Sequence, residues 1–181
     1  MSIIEITSPY SARVWLDELP DLGSESRRIV QKEREVVHSS PRSKGGMAAI
    51  EVFIPRGARF IYGLLAGELV PGDSKELIVQ VANGETGQTI TDWSLARGLD
   101  AVKSGIPTWA TEEILNSALE AVDAQPIGPG CLRFPLGAHG QLGSNAWVFR
   151  GLAKAIVTLI STDDRSLSEE ELSSILRRHL S

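Results

Sequence analysis

Alternation of apolar and polar residues indicates strands along much of this chain. Residues 48–54 alternate and are rich in β-branched side chains, and residues 76–81 form the clearest strand pattern. Residues 131–134 fit a shorter strand. Residues 3–16 also have β character but are interrupted by Pro9, which predicts an edge strand or an N-terminal arm.

Two further segments are less clear from their pattern. Residues 29–38 fit a helix or a strand, and Val36 and Val37 favour the strand because β-branched side chains suit a pleated surface. Residues 92–103 predict a short helix, which Asp92 can cap at its N-terminus.

Helices are predicted mainly in the second half. Apolar residues fall at helical spacing over residues 112–122, again over residues 145–161, and finally after Ser166, which forms a capping box with Glu169. Strands that precede most of the helices indicate an α+β fold. We expect one domain, residues 1–181, with an N-terminal arm at 1–34, a core at 35–160 and a C-terminal helix at 166–181.

Composition narrows the class of protein. The 181 residues carry a formal net charge of −5, which argues against a surface that binds nucleic acid over its whole extent. The single cysteine, Cys131, excludes an internal disulfide and suits a reducing compartment, so we expect a cytoplasmic protein. No apolar stretch approaches the ~20 residues that a membrane-spanning helix needs, and we expect no membrane partner.

A glycine-rich segment is the first candidate site. Gly137, Gly140 and Gly143 precede Ser144, where a helix is expected to begin. Backbone N–H groups in such a loop can bind an anion, but spaced glycines also occur wherever a loop needs positive φ angles. His139, within this segment, is either a base or RNA-stacking group or an exposed polar residue.

The second candidate is a concentration of cations between residues 27 and 44. On a hairpin these side chains can contact phosphates, although charges on a strand also protect a sheet edge from unwanted pairing. The six cations are Arg27, Arg28, Lys32, Arg34, Arg42 and Lys44.

Catalytic and metal chemistry has weaker support. Cys131, His139 and Asn145 are the residue types of a thiol hydrolase, but a cysteine within a strand is commonly a buried apolar group. The other histidines, His38 and His179, are far from His139 in sequence and form no metal-ligand motif. We therefore expect no metal, no cofactor and a non-enzymatic protein. The four tryptophans are candidates for binding anchors or for core packing.

Residues 35–160 resemble domain IV of translation elongation factor G. The likeness rests on Ser43-Lys44-Gly45-Gly46 before the strand Ile50-Glu51-Val52, on Gly67-Glu68-Leu69-Val70-Pro71, and on the segment from Leu142 to Arg150. The chain departs from that family in its acidic net charge, in the insertion at residues 80–107 and in lacking a nucleotide-binding domain.

This resemblance implies the ribosomal protein S5 domain 2-like fold, a four-stranded sheet with helices on one face. It also implies that the loops at residues 39–46 and 137–145 lie together at one tip. The residues expected to bind RNA, the ribosome or another partner are then Arg42, Ser43, Lys44, Gly45, Gly46, Gly137, His139, Gly140, Gln141, Ser144 and Asn145.

Three classes of function follow. The first is a non-enzymatic module that binds RNA or the ribosome through the tip loops. The second is a protein-interaction or oligomeric assembly module, which suits the acidic surface. The third is a small-molecule enzyme, since folds of this class support many chemistries.

Overall fold

The structure is a computed structural model. It describes residues 2–7, 10–22, 28–35, 45–73, 75–90, 92–125, 127–162 and 166–180.

Eight strands form a single sheet in the described part of the chain, in the order β1-β2-β4-β5-β8-β7-β6-β3. The strands are β1 Ser2–Ile6, β2 Ser11–Leu16, β3 Arg28–Glu35, β4 Gly46–Arg56, β5 Arg59–Pro71, β6 Glu76–Ile90, β7 Val102–Ile106 and β8 Gly130–Gly140.

Strands β6 and β8 are the parallel pair of the sheet, and the other pairings are antiparallel. The two strands are paired over residues 77–81 and 130–134 and then separate. The short strand β7 fills the resulting fork, pairing with β6 on one side and with residues 138–140 of β8 on the other. The fork brings residues 92–102 to the same end of the sheet as the end of β8.

A first hydrophobic core contains side chains from the strands and from three described helices. The helices are α1 Thr108–Ala124, α2 Ala146–Ser161 and α3 Glu169–Leu180. The Asn145 side chain accepts a hydrogen bond from Val148 N–H at 3.1 Å, as expected of an N-cap. Helix α2 lies close to β5 at Gly67, where a Cβ would lie 2.5 Å from Ile156 Cγ2. None of the described helices has the length and apolar character to cross a membrane.

A second hydrophobic core lies on the opposite face of the sheet. It includes Trp15, Tyr62 and Leu64 from the strands, and Leu22 and Ala96 from the segments that cover them. Residues 17–22 and 92–100 therefore act as a cover for part of the face that the helices leave open.

The predicted four-stranded, S5 domain 2-like fold is wrong, because the described residues form a sheet of eight strands. Of the two alternatives for the N-terminal segment, an edge strand or an arm, the described residues form the first, since β1 lies at the edge of the sheet and pairs with β2, which pairs with β4. Residues 92–103, predicted as a helix, form turns followed by the start of β7. Residues 29–35 are in strand, as Val36 and Val37 favoured, although those two valines lie outside the described residues.

The packing of α3 makes the stability of this fold sensitive to acid. His179 Nε2 lies 3.2 Å from Thr158 Oγ1 on α2. Burial lowers the pKa of His179, and the positive charges of Arg178 and Lys154 lower it further. A lowered pKa in the folded state adds stability that is present above the ordinary pKa of 6.5 and is lost as pH falls through the folded value. We expect the melting temperature of the wild type to fall more than that of His179→Gln between neutral pH and pH ~5. Parallel melting curves would contradict this role.

Candidate binding surface at the β4–β5 turn

The glycine-rich segment is largely strand. Gly137 pairs with Leu65, and β8 continues to Gly140, so the loop begins only at Gln141. Gly137 is suited to this position because a Cβ would lie 2.8 Å from the carbonyl oxygen of Leu64. Close approach of β5, and not an anion site, explains this glycine.

The loop that follows β8 is bound by the protein's own carboxylate. Asp100 accepts hydrogen bonds from the backbone N–H of Leu142 at 3.1 Å and of Gly143 at 2.8 Å. A Cβ on Gly140 would overlap the same carboxylate, which explains the glycine there. The N–H groups proposed to bind an external anion are therefore used to attach this loop to residues 92–100.

Ser144, Gln141 and Asn145 also serve the internal structure of the loop. Ser144 Oγ accepts from Gly140 N–H at 2.8 Å and donates to the carbonyl oxygen of Tyr62 at 2.6 Å. Gln141 N–H donates to Ala101 O at 3.2 Å, while its side chain is exposed. The loop is thus fixed to both β5 and residues 92–101.

The described end of the first loop expected at the tip, residues 45–46, lies at the opposite end of the sheet from the second loop. Gly46 begins β4 opposite Leu69, whereas the loop after β8 contacts Tyr62, which pairs with Phe53 near the other end of β4. The two positions are seven residues apart along β4, or about 23 Å. Gly45 also lies at the first end, and Arg42, Ser43 and Lys44 lie outside the described residues.

Part of the basic concentration is neutralised by α1. Lys32 lies 2.8 Å from a carboxylate oxygen of Glu112, and Arg34 forms an ion pair with Asp123. These pairs attach edge strand β3 to the helix. Arg28 is exposed, and Arg27 lies outside the described residues.

His139 is a core residue. Its side chain is buried, its Nδ1 lies 3.2 Å from the carbonyl oxygen of Gly105, and its ring meets Trp109 edge to face. It shares β8 with Cys131, but the two residues are eight positions apart, which is about 26 Å of strand. Burial raises the pKa of the Cys131 thiol, and the thiol hydrolase set is not assembled. The described residues also include no group of metal-ligating side chains.

A different surface emerges at the β4–β5 turn. Arg56 and Arg59 are direct cross-strand partners on either side of Gly57 and Ala58, and both are exposed. The Arg56 guanidinium lies 5.9 Å from the centre of the Trp147 ring. Neither arginine has a carboxylate partner within the described residues.

Two exposed leucines lie at the same end of the sheet as these arginines. Leu142 is 80% exposed and Leu99 is 58% exposed, and they lie near each other because Asp100 contacts the Leu142 N–H. Phe60, next to Arg59, packs against Gly143 of the same loop, where a Cβ would lie 2.5 Å from its ring. We call these four exposed residues at one end of the sheet the arginine–leucine surface: Arg56, Arg59, Leu99 and Leu142.

The sequence contained a signal for the arginines that we missed. The segment Pro55-Arg56-Gly57-Ala58-Arg59 places two cations and a glycine between two apolar strands, which is typical of a charged hairpin turn. The leucines had no comparable signal, since their exposure depends on how residues 92–100 and the loop after β8 pack together.

Beneath residues 92–100 lies a buried polar cluster. The carboxyl group of Glu51 is fully buried and accepts from Leu95 N–H at 2.8 Å, Tyr62 O–H at 3.0 Å and Arg13 Nη1 at 3.2 Å. Burial raises the pKa of Glu51, and these three donors oppose the shift. Arg13 Nη1 also donates to the carbonyl oxygen of Trp93 at 2.6 Å. The cluster holds the segment at residues 93–95 against the sheet.

Comparisons with known proteins find no matching family, no matching curated protein and no matching solved structure.

Proposed function

We propose that this protein is a non-enzymatic binding module that docks an acidic protein partner on the arginine–leucine surface. The observation that carries the proposal is the pairing of Arg56 with Arg59 across the turn. Like charges directly opposite each other destabilise a strand pair, and within the described residues no carboxylate offsets these two. A partner that supplies carboxylates would relieve the repulsion between the two arginines, and this relief would strengthen its binding.

The exposed leucines favour a protein partner over RNA. Burying Leu142 and Leu99 is most favourable against an apolar protein surface that excludes water. RNA instead offers phosphates, sugars and bases that stack on aromatic rings. The Trp147 ring is poorly placed to stack on an RNA base, since the guanidinium of Arg56 lies over it. Apolar side chains flanked by arginine are typical of protein interfaces.

The alternative partner is RNA or the ribosome, as the resemblance to elongation factor G suggested. The same two arginines would then contact phosphates. Contacts with phosphates would make the affinity fall steeply with salt concentration. We further place the module in the cytoplasm, because its single cysteine suits a reducing compartment.

The test is fluorescence anisotropy with two labelled probes over a salt series. One probe is a peptide of alternating glutamate and leucine, and the other is a single-stranded RNA of random sequence. We expect the peptide to bind the wild type and to lose roughly tenfold or more of its affinity with Arg56→Glu/Arg59→Glu, because each lost charge pair then becomes a repulsion. Leu142→Ser should weaken binding as well.

The matched control is Arg28→Glu/Lys75→Glu, which makes the same change in net charge at two exposed cations elsewhere. It should leave peptide affinity nearly unchanged. Equal losses in the two double variants would show nonspecific attraction and contradict the docking surface. Preferential, steeply salt-dependent binding of the RNA would instead support the nucleic-acid alternative.

A further inference from the structure

A groove on the sheet face opposite the helices is separate from the arginine–leucine surface. It lies between the outer faces of β1 and β2 and the covering residues 92–97, and its volume is about 660 Å³. That volume falls within the ~300–1,000 Å³ typical of small-molecule sites. We call it the tryptophan groove, and its principal residues are Glu5, Arg13, Trp15, Asp92, Trp93 and Arg97.

The walls of the groove are held in place by the buried Glu51 cluster. Glu51 orients Arg13 from below and accepts from Leu95 N–H in the covering segment. Arg13 in turn donates to the carbonyl oxygen of Trp93 and, through Nε, to Glu5 at 3.2 Å. A binding site whose side chains are fixed before the ligand arrives loses less entropy on binding.

The charges of the groove are arranged in two layers. Arg13 is three-quarters buried, with a side chain 23% exposed, and its Nη2 group donates to no described residue. Asp92 and Arg97 are exposed at the opening, as is Glu5, whose side chain is 67% exposed. A cation therefore lies deep beside the two indole rings, whereas both carboxylates lie near solvent.

We propose that the tryptophan groove binds a small zwitterion with a large apolar body, of the class of free aromatic α-amino acids. The ligand carboxylate would accept from Arg13 Nη2 and from Arg97, whose Nη1 donates to the carbonyl oxygen of Asp92 and whose Nη2 donates to no residue that the structure describes. The ammonium group would face Asp92 and Glu5 at the opening. The apolar body would pack on Trp93, which is partly exposed, and on the edge of Trp15.

The four tryptophans allow a direct test. Titrating phenylalanine into ¹⁵N-labelled protein and following the indole N–H signals should shift the signals of Trp15 and Trp93. The signals of Trp109 and Trp147, which lie outside the groove, should stay in place. Trp93→Phe and Trp109→Phe identify their own signals, and binding should weaken in the first variant and persist in the second.

Two blocked ligands separate the charge contributions. N-acetylphenylalanine lacks the ammonium group and phenylalaninamide lacks the carboxylate, so each should bind roughly tenfold more weakly than phenylalanine. Arg97→Ala and Asp92→Asn change exposed side chains and should reproduce the two losses one at a time. The absence of shifts up to millimolar phenylalanine, or equal shifts with all three ligands, would overturn the proposal. This site shares no residue with the arginine–leucine surface, so either can fail alone.

Discussion

Replacing Glu51 with alanine is expected to lower the free energy of unfolding by about 3–5 kcal/mol, the cost of breaking a buried charged pair. The substitution would remove the acceptor of Tyr62 O–H and Leu95 N–H, and it would take the buried counter-charge from Arg13, which keeps only Glu5 and the carbonyl oxygen of Trp93. Each unsatisfied donor costs about 1–3 kcal/mol when buried. Urea denaturation followed by circular dichroism measures the loss.

The matched control is Glu68→Ala on the neighbouring strand β5. Glu68 forms an ion pair with Arg133 at 3.0 Å, but both side chains are partly exposed, so the expected loss is below about 1 kcal/mol. Similar losses for the two alanine variants would mean that the Glu51 cluster does not hold residues 93–95 in place. Arg13→Ala should resemble Glu51→Ala, because it leaves the buried carboxyl group without its cation.

The second large effect is expected at Gly130, where β8 begins. Its φ is +145°, a conformation that L side chains rarely adopt. A Cβ there would overlap the carbonyl oxygen of Val70 and lie 2.8 Å from the backbone nitrogen of Gly72. Both neighbours are backbone atoms that cannot rotate away. We expect Gly130→Ala to destabilise the fold by about 3 kcal/mol or more, from backbone strain and overpacking together.

Gly57→Ala separates these two causes. Gly57 also has a positive φ, +64°, but no atom lies within 4 Å of the Cβ position. We therefore expect a loss of only about 1 kcal/mol from backbone strain. The comparison again uses urea denaturation. If the two glycine variants lost the same stability, close approach of β5 to the start of β8 would not be the reason for the glycine.

Sequence patterns predicted the helices better than the sheet. The apolar stripes over residues 112–122 and 145–161 lie within α1 and α2, because a helical face needs only local spacing and a core to pack on. Strand β5 was harder, since its residues 67–71 were noted only in the resemblance to elongation factor G, whereas the structure places them in one strand of 13 residues.

The environment of the candidate site residues depends on contacts between segments that are distant in sequence. The glycines at 140 and 143 and Ser144 were identified as a site of unpaired N–H groups, but their acceptors include Asp100 and Tyr62, distant in sequence. Lys32 and Arg34 were counted as free cations, yet their partners Glu112 and Asp123 belong to α1. Whether a polar group is available to a ligand depends on neighbours that local sequence does not reveal.

By itself the sequence determined the α+β character, the positions of α1 and α2 and the strand character of β3, β4 and β6, because each depends on local spacing and propensity. Only the tertiary structure decided that the eight strands of the described residues share one sheet, and that residues 45–46 lie at its opposite end from the loop after β8. It also decided that Glu51 is buried against Arg13, while Arg56 and Arg59 face each other in the open. Strand order and burial arise from pairing between distant segments, whose free energy belongs to the assembled sheet and to no single stretch of sequence.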